Sequence, residues 1–369
     1  MAAILFLIPT ARADEMATVF GQLLLQPDDP ALNIRYAELA MAKGETRKAF
    51  AALERVLAAD PDNREARRAY AKIKNKLKPK VTEFTLLTGL SWESNPRQLP
   101  GGDPRADSDA SFETALLLYD ERTIASRRWR TLGQASGHLM FDIDELNDLY
   151  LSIASGPVFD ITKKTQLHIA PGAATSWLDN DWLYQDGFVR MALERRNKGN
   201  AQTVTTTVKY RDTNSDFNGD DGWIVRVDGR FLKTDRFRQG DAFYFLPRFT
   251  YSEPGGSGPG RVFQSALFPG NYIEYGARVL YYTPVLSKKA YLGAGLGLYG
   301  RDYDQNVALV ANKERSDTML VPSAHLLLPK FRGSNFDLRM DYRYEHNDSN
   351  DPTEDFNNHV ISVTTVRKF

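Results

Sequence analysis

The sequence predicts a mainly β protein: a transmembrane antiparallel β-barrel of about fourteen strands, preceded by a small α-helical segment. Three observations predict it. After residue 80 the apolar residues recur with a period of two, which is typical of strands with one buried face. Short and long connections alternate between these strands, as in barrels with short inner turns and long outer loops. The last strand ends the chain on an aromatic residue, Phe369.

Composition excludes several classes of protein. The 369 residues include 47 basic and 47 acidic side chains, so net charge gives no general reason to bind nucleic acid. No apolar run approaches the ~20 residues of a membrane-spanning helix. A barrel averages lipid-facing with interior residues, which fits the mean hydropathy of −0.44. The absence of cysteine excludes disulfides, thiolate zinc sites, cysteine nucleophiles and lipidation on an N-terminal cysteine.

Residues 1–13 are predicted to be a signal peptide. An apolar stretch ends in Ala11-Arg12-Ala13, a small-x-small cleavage site before Asp14-Glu15. The basic residues that normally begin such a peptide are missing, and a buried N-terminal strand is the alternative. Export of a cysteine-free chain fits the envelope of a Gram-negative bacterium. We therefore expect an outer-membrane protein whose N-terminal segment lies in the periplasm.

Residues 14–80 are predicted to form a periplasmic helical segment similar to tetratricopeptide repeats. The helical patterns break at residues 43–45 and 60–63, where Gly and Pro mark turns. Since about three repeats are usually needed for stability, one and a half should dock on a partner or on the rest of the chain. The residues at the repeat's small and large packing positions are Tyr36, Ala37, Ala40, Gly44, Ala49, Leu53, Val56 and Pro61.

The end of this segment, residues 64–80, carries eight basic residues and one acidic residue, and we call it the basic flank. A solvated helix face is the default interpretation of such a charge run. The alternative is contact with anionic headgroups or with an acidic client protein. The candidate client-binding residues are Tyr36, Arg64, Arg67, Arg68, Lys72 and Lys74.

Residues 81–369 are predicted to form the outer-membrane barrel. An even number of strands returns both ends of the barrel to one side. The segment 120–130 is an exception, because it predicts a long link on the side of the short turns. The fourteen strands are predicted near residues 81–94, 110–121, 131–143, 147–159, 164–177, 183–195, 201–213, 222–233, 241–253, 271–283, 288–302, 315–329, 335–347 and 355–369.

Charged residues on the polar face of these strands are the candidates for lining the lumen. They mix both signs, whereas a pore selective for one class of ion needs a ring of one sign. Mixed signs favour lateral salt-bridge ladders that stiffen the wall, with an unselective polar path as the alternative. The candidates are Arg226, Asp228, Arg230, Glu274, Arg278, Asp337, Arg339, Asp341, Arg343 and Glu345.

No motif predicts catalysis. None of the five histidines has a zinc-binding spacing, and no Gly-x-Ser-x-Gly motif is present. The glycines at 293, 295 and 297 lie inside a predicted strand, which does not fit a phosphate-binding loop. Residues 212–221 alternate oxygen ligands like a calcium loop but have Phe217 where Gly is needed, so a polar hairpin tip is favoured. We expect structural histidines, no cofactor and no enzymatic activity.

Several short stretches of the barrel region resemble the surface lipoprotein assembly modulators (Slam), over about residues 82–369. The resemblance implies an outer-membrane protein that helps lipoproteins or related proteins reach the cell surface, without catalytic residues. The stretches are Trp92-Glu93-Ser94-Asn95, Ala170-Pro171, Gly300-Arg301-Asp302-Tyr303-Asp304, Tyr344-Glu345-His346-Asn347-Asp348-Ser349-Asn350 and Arg367-Lys368-Phe369.

The implied partners are outer-membrane lipids, a lipoprotein client and the insertion machinery that reads a last strand ending on Phe369. The family usually carries more helical repeats than this chain, so the class of client stays open. Two alternatives remain. An exopolysaccharide export porin also joins tetratricopeptide repeats to a barrel and predicts an aromatic or one-sign lumen. In a general diffusion porin the repeat segment is dispensable.

Overall fold

The structure is a computed structural model that describes residues 11–77, 81–124, 127–214, 221–253, 271–286, 290–306 and 313–369. It contains two compact units: the four helices belong to one, and most residues of the strands belong to the other. Residues 1–10 of the predicted signal peptide lie outside the described residues, as do 215–220 of the calcium-like segment. The predicted cleavage site at residues 11–13 lies in the first turn of a helix.

Four helices form the N-terminal unit: α1 (Ala11–Leu25), α2 (Pro30–Ala42), α3 (Thr46–Ala59) and α4 (Arg64–Leu77). Asp29 caps α2 by accepting a hydrogen bond from the Leu32 backbone N–H at 3.0 Å. Gly44 has a φ of +77°, which lets the chain turn sharply between α2 and α3. Asn63 caps α4 through the Ala66 N–H at 3.0 Å. Both predicted breaks in the helical pattern are thus confirmed.

Small residues let the helices approach closely. Ala40, Ala49 and Leu53 are 0% exposed, and Ala37 and Val56 are 2% exposed. These positions were predicted as packing positions, and their burial confirms that prediction. None of the described helices has the length and apolarity that crossing a membrane requires.

Fourteen strands form one closed barrel, in which each strand pairs with the next and β1 pairs with β14. The predicted fold class and all fourteen predicted strands are confirmed. The strands are β1 (Val81–Glu93), β2 (Asp109–Ile124), β3 (Arg127–Met140), β4 (Asp148–Thr162), β5 (Thr165–Leu178), β6 (Asp181–Asn197), β7 (Asn200–Thr213), β8 (Gly222–Thr234), β9 (Ala242–Ser252), β10 (Tyr272–Val285), β11 (Ala290–Asn306), β12 (Glu314–Leu328), β13 (Phe336–Ser349) and β14 (Phe356–Lys368).

The predicted long link over residues 120–130 is wrong. β2 continues to Ile124 and β3 begins at Arg127. The charged residues that favoured a loop are paired inside the barrel, since Arg130 Nη2 lies 2.9 Å from a Glu121 carboxylate oxygen. On the side of the barrel that carries the long loops, a short turn of two residues joins β5 to β6. These residues are Asp179 and Asn180, and both have positive φ.

Apolar side chains cover the outside of the barrel. Leu90, Ile153, Leu296 and Leu298 are each more than half exposed. A closed barrel leaves no unpaired strand edge, so an apolar exterior of this kind suits the interior of a bilayer. Exposed aromatic residues lie near both ends of the strands, as at membrane–water interfaces, and include Phe84, Trp92, Phe112, Trp223, Tyr251, Tyr275 and Phe369.

Candidate functional site: the interior wall of the barrel

Strand register decides which side chains face the interior. In β8, Trp223 is exposed on the outer face of the barrel, and Arg226 lies on the other face. The residue directly opposite Arg226 on β9 is Thr250. The same alternation runs through the described residues of β10 and β13. All ten predicted lumen-lining residues lie on the face opposite to the apolar exterior. Their role in lining a conduit stays a prediction.

A ladder of alternating charges crosses four strands of this wall, and we call it the charge ladder. Arg226 Nε lies 2.7 Å from Asp228, and Arg248 Nε lies 3.3 Å from the same carboxylate. Arg248 also reaches Glu274 at 3.8 Å, and Arg301 Nε lies 2.6 Å from Glu274. The ladder therefore links β8 to β11 side by side, which is the stiffening arrangement that mixed signs predict.

Further along β13 the predicted residues pair within their own strand. Arg339 lies 2.5 Å from Asp341, and Arg343 lies 2.6 Å from Glu345. Asp337 instead accepts a hydrogen bond from the Lys330 backbone N–H at 2.8 Å and so fixes a turn.

Two buried ion clusters were missed by the sequence analysis. In the first, Asp186 lies 2.7 Å from Lys209 and 2.8 Å from Arg211. In the second, Arg130 lies 2.6 Å from Glu194 as well as contacting Glu121. The alternation of charged and apolar residues in β6 and β7 is the signal that could have found the first cluster. The second cluster could be predicted only with the correct ends of β2 and β3, because Glu121 and Arg130 lie in the segment that was predicted to be a loop.

Residues of the motifs that carry the family resemblance form polar clusters near the ends of the strands. Asn358 is fully buried and donates to Glu93 at 2.7 Å, while its side-chain oxygen accepts the Asn95 N–H at 3.0 Å. The Arg315 guanidinium stacks over the ring of buried Tyr303 at 4.2 Å. These motif residues therefore have clear structural roles.

Three interior arginines have no carboxylate within 4.0 Å among the described residues: Arg190, Arg230 and Arg278. Arg190 reaches His168 at 3.5 Å, and Arg230 lies over the ring of Tyr244 at 5.5 Å. Arg278 donates from Nη2 to the Ser323 hydroxyl at 2.8 Å, and its buried Nε has no hydrogen-bond partner. The inner face of β9, β10 and β11 also carries Tyr244, Tyr272, Tyr282, Tyr299 and Tyr303.

A cavity of about 270 Å³ is lined by residues of β1–β3 on one side of the pairing between β1 and β14, and by residues of β10 and β12–β14 on the other. On β3, His138 Nδ1 lies 2.5 Å from Asp148 of the neighbouring strand. On β12, His325 Nδ1 bonds to Asp341, and His325 Nε2 lies 3.1 Å from the Ser323 hydroxyl. The sequence contains Ser-x-His at 136–138 and at 323–325. The aspartate that contacts each histidine lies on a neighbouring strand, so only the strand register shows which aspartate it is.

In the helical unit, Tyr36 is buried, 9% exposed, and packs against Phe20 with ring centroids 5.7 Å apart. It also lines a groove together with Met16 and Leu23. The predicted client-binding residues Arg64, Arg67 and Arg68 are exposed on α4, and Arg67 lies 3.4 Å from Asp62. The side chains of Lys72 and Lys74 on α4 lie outside the described part of the structure.

Metal binding finds no support in the described part of the chain, where no group of three His, Cys, Asp or Glu side chains is arranged to hold an ion. Each of the five histidines has a hydrogen-bond partner. Besides His138 and His325, His168 contacts the Arg130 carbonyl, His346 contacts Asn357 and His359 contacts Tyr342.

The family model for tetratricopeptide repeats matches residues 14–73. No curated protein matches this chain in sequence at a significant level. Among solved structures, OccAB4 of Acinetobacter baumannii is 9% identical with a TM-score of 0.39, covering 80% of this chain and 100% of that one. The outer membrane protein opdK of Pseudomonas aeruginosa is 9% identical with a TM-score of 0.37, covering 78% and 99%.

A bacterial polysaccharide outer membrane secretin is likewise 9% identical, with a TM-score of 0.42, and covers 78% of this chain and 98% of that one. The N-terminal unit is thus similar to tetratricopeptide repeats, and the remainder of the chain is a closed barrel of fourteen strands.

Proposed function

We propose that this protein is an outer-membrane translocation factor of a Gram-negative bacterium that delivers lipoproteins or related proteins to the cell surface. The observation that carries the proposal is the joining, in one chain, of a tetratricopeptide-like unit and a closed barrel with an apolar exterior. The barrel supplies a path across a bilayer, and the helices supply a surface for a client. The resemblance to Slam adds delivery of lipoproteins or related proteins to the surface, while the client itself stays open. This role needs no catalytic residue.

The helical unit offers two surfaces that suit a protein client. Paired helical repeats typically bind extended segments along a groove. Here the groove beside Tyr36 is bordered by Phe20, which is 46% exposed. The exposed arginines of the basic flank add an attraction for acidic segments or anionic headgroups.

Export of a polysaccharide is the second candidate function, and the interior wall supplies its support. Inward tyrosines on β9 to β11 offer flat faces for sugar rings. Arg190, Arg230 and Arg278 offer charges that no described carboxylate neutralises. The inward tyrosines are the aromatic lining that the export-porin alternative predicts, whereas the charges of the wall are of both signs.

The route of the cargo is either the lumen or a seam that opens between β1 and β14. In the structure this seam is paired from Thr85–Lys368 to Glu93–Val360. Beyond both ends of that register, Phe369 N–H donates to the Phe84 carbonyl at 2.9 Å and Ser94 N–H donates to the His359 carbonyl at 3.0 Å. Lateral opening therefore has to break an intact ladder of hydrogen bonds.

The first experiment compares a deletion strain with its parent by protease shaving, mass spectrometry of surface lipoproteins and a stain for extracellular polysaccharide. The proposal predicts loss of one or two lipoproteins from the surface at unchanged total amounts. Loss of polysaccharide with surface lipoproteins intact would instead support polysaccharide export, the second candidate function. No change in either would favour a diffusion porin.

A disulfide then separates the two routes. Ser91 and Ser362 lie directly opposite each other on β1 and β14. Directly opposite residues of antiparallel strands have Cα atoms about 4.5–5.5 Å apart, within the range of a disulfide. The natural sequence has no cysteine, so the two introduced thiols can pair only with each other within the chain. In a Ser91→Cys/Ser362→Cys variant, delivery that stops on oxidation and returns with reductant indicates the seam. Delivery that continues indicates the lumen, and Ser91→Cys alone is the control.

Client capture is tested on the basic flank. Replacing Arg64, Arg67, Arg68, Lys72 and Lys74 by Gln is expected to weaken co-purification of the client identified in the deletion strain. Exchanging Arg for Lys and Lys for Arg at the same positions keeps the charge and should preserve capture. Unchanged capture by the Gln variant would remove the basic flank from the proposal.

A further inference from the structure

We propose that the barrel interior contains a serine esterase site, in which Ser323 is the nucleophile for a short-chain carboxylic ester. His325 acts as general base and acid, Asp341 is its positioning residue, and Arg278 stabilises the oxyanion. The inference departs from the sequence-based expectation of a chain without enzymatic activity. It is independent of the cargo proposed above, because it rests only on the contacts among four side chains of the interior wall.

The three side chains meet in the order that nucleophilic catalysis requires. Asp341 bonds to His325 Nδ1, which leaves Nε2 as the acceptor. Nε2 lies 3.1 Å from the Ser323 hydroxyl, within the reach of a general base. Ser323 and His325 are on β12, and Asp341 is directly opposite His325 on β13. Strand geometry, rather than a loop, therefore fixes the constellation.

The base is held from several sides. Asp341 also accepts a hydrogen bond from Arg339 Nε at 2.5 Å, which fixes the carboxylate. The ring of Tyr282 lies 5.5 Å from the His325 ring. Ser323 and His325 are 8% and 7% exposed, so bulk water does not compete strongly for their hydrogen bond.

Arg278 supplies a positive charge at the place where negative charge develops. Its Nη2 donates to the Ser323 hydroxyl oxygen at 2.8 Å, so the hydroxyl proton is free to point to His325. Its Nε is buried without a hydrogen-bond partner. A buried donor without a partner is costly, and an oxyanion beside Ser323 would satisfy it.

Gly295 keeps the space beside the nucleophile open. It is directly opposite Ser323 on β11, and a Cβ added there would lie 2.6 Å from the serine hydroxyl oxygen. The Gly-x-Gly-x-Gly stretch that fits no phosphate loop thus has a role in the wall beside this site.

The second Ser-x-His pair provides an internal comparison. His138 has its aspartate, Asp148, in the same relation as His325 has Asp341. The Ser136 hydroxyl, however, accepts a hydrogen bond from Gln134 Nε2 at 3.2 Å, and no hydrogen bond joins it to His138 among the described contacts. Only Ser323 is therefore in contact with its base, and Ser136 is the matched control.

The reaction proceeds in two steps. Ser323 Oγ attacks the ester carbonyl while its proton moves to His325 Nε2, and Arg278 binds the oxyanion. The tetrahedral species then breaks its bond to the alcohol, which leaves with the proton from His325. Water, activated by the same imidazole, adds to the acyl-serine and releases the carboxylic acid and Ser323. The cavity of about 270 Å³ beside Ser323, which is lined by Arg278, His325 and Asp341, limits the acyl group to a few carbon atoms.

The test uses the full chain purified in detergent, with its folding checked by heat-modifiable migration. An alkyl fluorophosphonate is expected to label Ser323, located by peptide mass spectrometry, and p-nitrophenyl acetate to be hydrolysed. Ser323→Ala and His325→Gln are expected to lower hydrolysis by about 10²-fold or more. Ser136→Ala, a substitution in the wall of the same cavity, should leave the phosphonate adduct on Ser323 in place. Asp341→Asn is expected to lower kcat while KM changes little, as befits a residue that acts through His325.

Two results would overturn the proposal: a folded barrel in which Ser323 carries no phosphonate adduct, or equal hydrolysis by the folded Ser323→Ala protein. If a variant fails the migration test, Ser323→Cys in the otherwise cysteine-free chain replaces it. A thiol at this position should react with iodoacetamide faster than one introduced by Ser136→Cys, because only residue 323 contacts an imidazole. Equal rates would also contradict the proposal.

Discussion

At the scale of single residues, the interior carboxylates differ in how deeply their ion pairs are buried. Asp186 is 4% exposed and bonds to both Lys209 and Arg211. Asp186→Asn leaves two cations without their anion, so we expect a loss of about 3–5 kcal/mol in the free energy of unfolding. The measurement is urea unfolding in phospholipid vesicles, followed by tryptophan fluorescence.

Asp228→Asn is the matched control, because it removes a carboxylate of the charge ladder whose partners are more exposed. Side chains in the Arg226–Asp228 pair are 44% and 37% exposed. Pairs of this kind contribute about 0–1 kcal/mol. Equal losses in the two variants would show that burial does not set the cost.

Asp241, in the turn before β9, carries a prediction on pH. Burial opposes its charge, but backbone hydrogen bonds from residues 236, 237 and 238 and one from Tyr281 outweigh burial and lower its pKa. A pKa below the unfolded value of about 3.9 stabilises the fold above that pH, and this stability is lost as the pH falls through the folded pKa. The difference in stability between wild type and Asp241→Asn should therefore shrink on acidification.

The measurement is the urea midpoint at neutral pH and at a series of pH values below 4. Asn keeps one acceptor oxygen but loses the charge, so the variant should unfold at lower urea concentration when Asp241 is ionised. The exposed Asp142→Asn variant is the control for the loss of a carboxylate outside this hydrogen-bond cluster. A gap that stays constant down to the lowest pH would contradict the assignment.

At the scale of elements, the core of the helical unit rests on small residues around Leu53, which is 0% exposed. Leu53→Ala is expected to cost about 2–5 kcal/mol by leaving a cavity. Because the strands form a compact unit of their own, heat-modifiable migration of the barrel should not change. Circular dichroism at 222 nm measures the melting of the helices.

Leu24→Ala serves as the control in α1, since Leu24 is 70% exposed and its truncation should be nearly neutral. If Leu53→Ala also shifts the barrel's thermal transition, the two units do not unfold independently.

The elements show what a sequence alone can predict. Period two is a property of each strand, so all fourteen strands and the face of Arg226 or Glu274 were predictable. The residues around Arg130 were misassigned, because runs of charge favour a loop unless their partners on other strands are known. The contact of His325 with Asp341 depends on the register of β12 against β13, which no local pattern specifies.

At the scale of the whole molecule, zero net charge conceals an uneven interior. Most interior charges of the described wall are paired. Arg190, Arg230 and Arg278 have no carboxylate within 4.0 Å among the described residues, and the interior carboxylates of Glu93, Glu113 and Asp337 have no described Lys or Arg side chain within that distance. In water, one such charge about 8 Å from a passing ion contributes about 0.5 kcal/mol, roughly twofold in local concentration. Because the unpaired charges of the two signs balance, we predict that the reconstituted barrel discriminates little between chloride and potassium in a KCl gradient.

Replacing Arg190, Arg230 and Arg278 by Gln should move the reversal potential toward a preference for potassium, since it leaves the unpaired carboxylates without opposing positive charge. The Arg226→Gln/Asp228→Asn double variant removes one charge of each sign from the charge ladder and should leave the reversal potential unchanged. A cation preference in wild type would show that the acidic residues of the wall dominate the field in the lumen. Absence of any conductance would instead favour passage along the seam between β1 and β14.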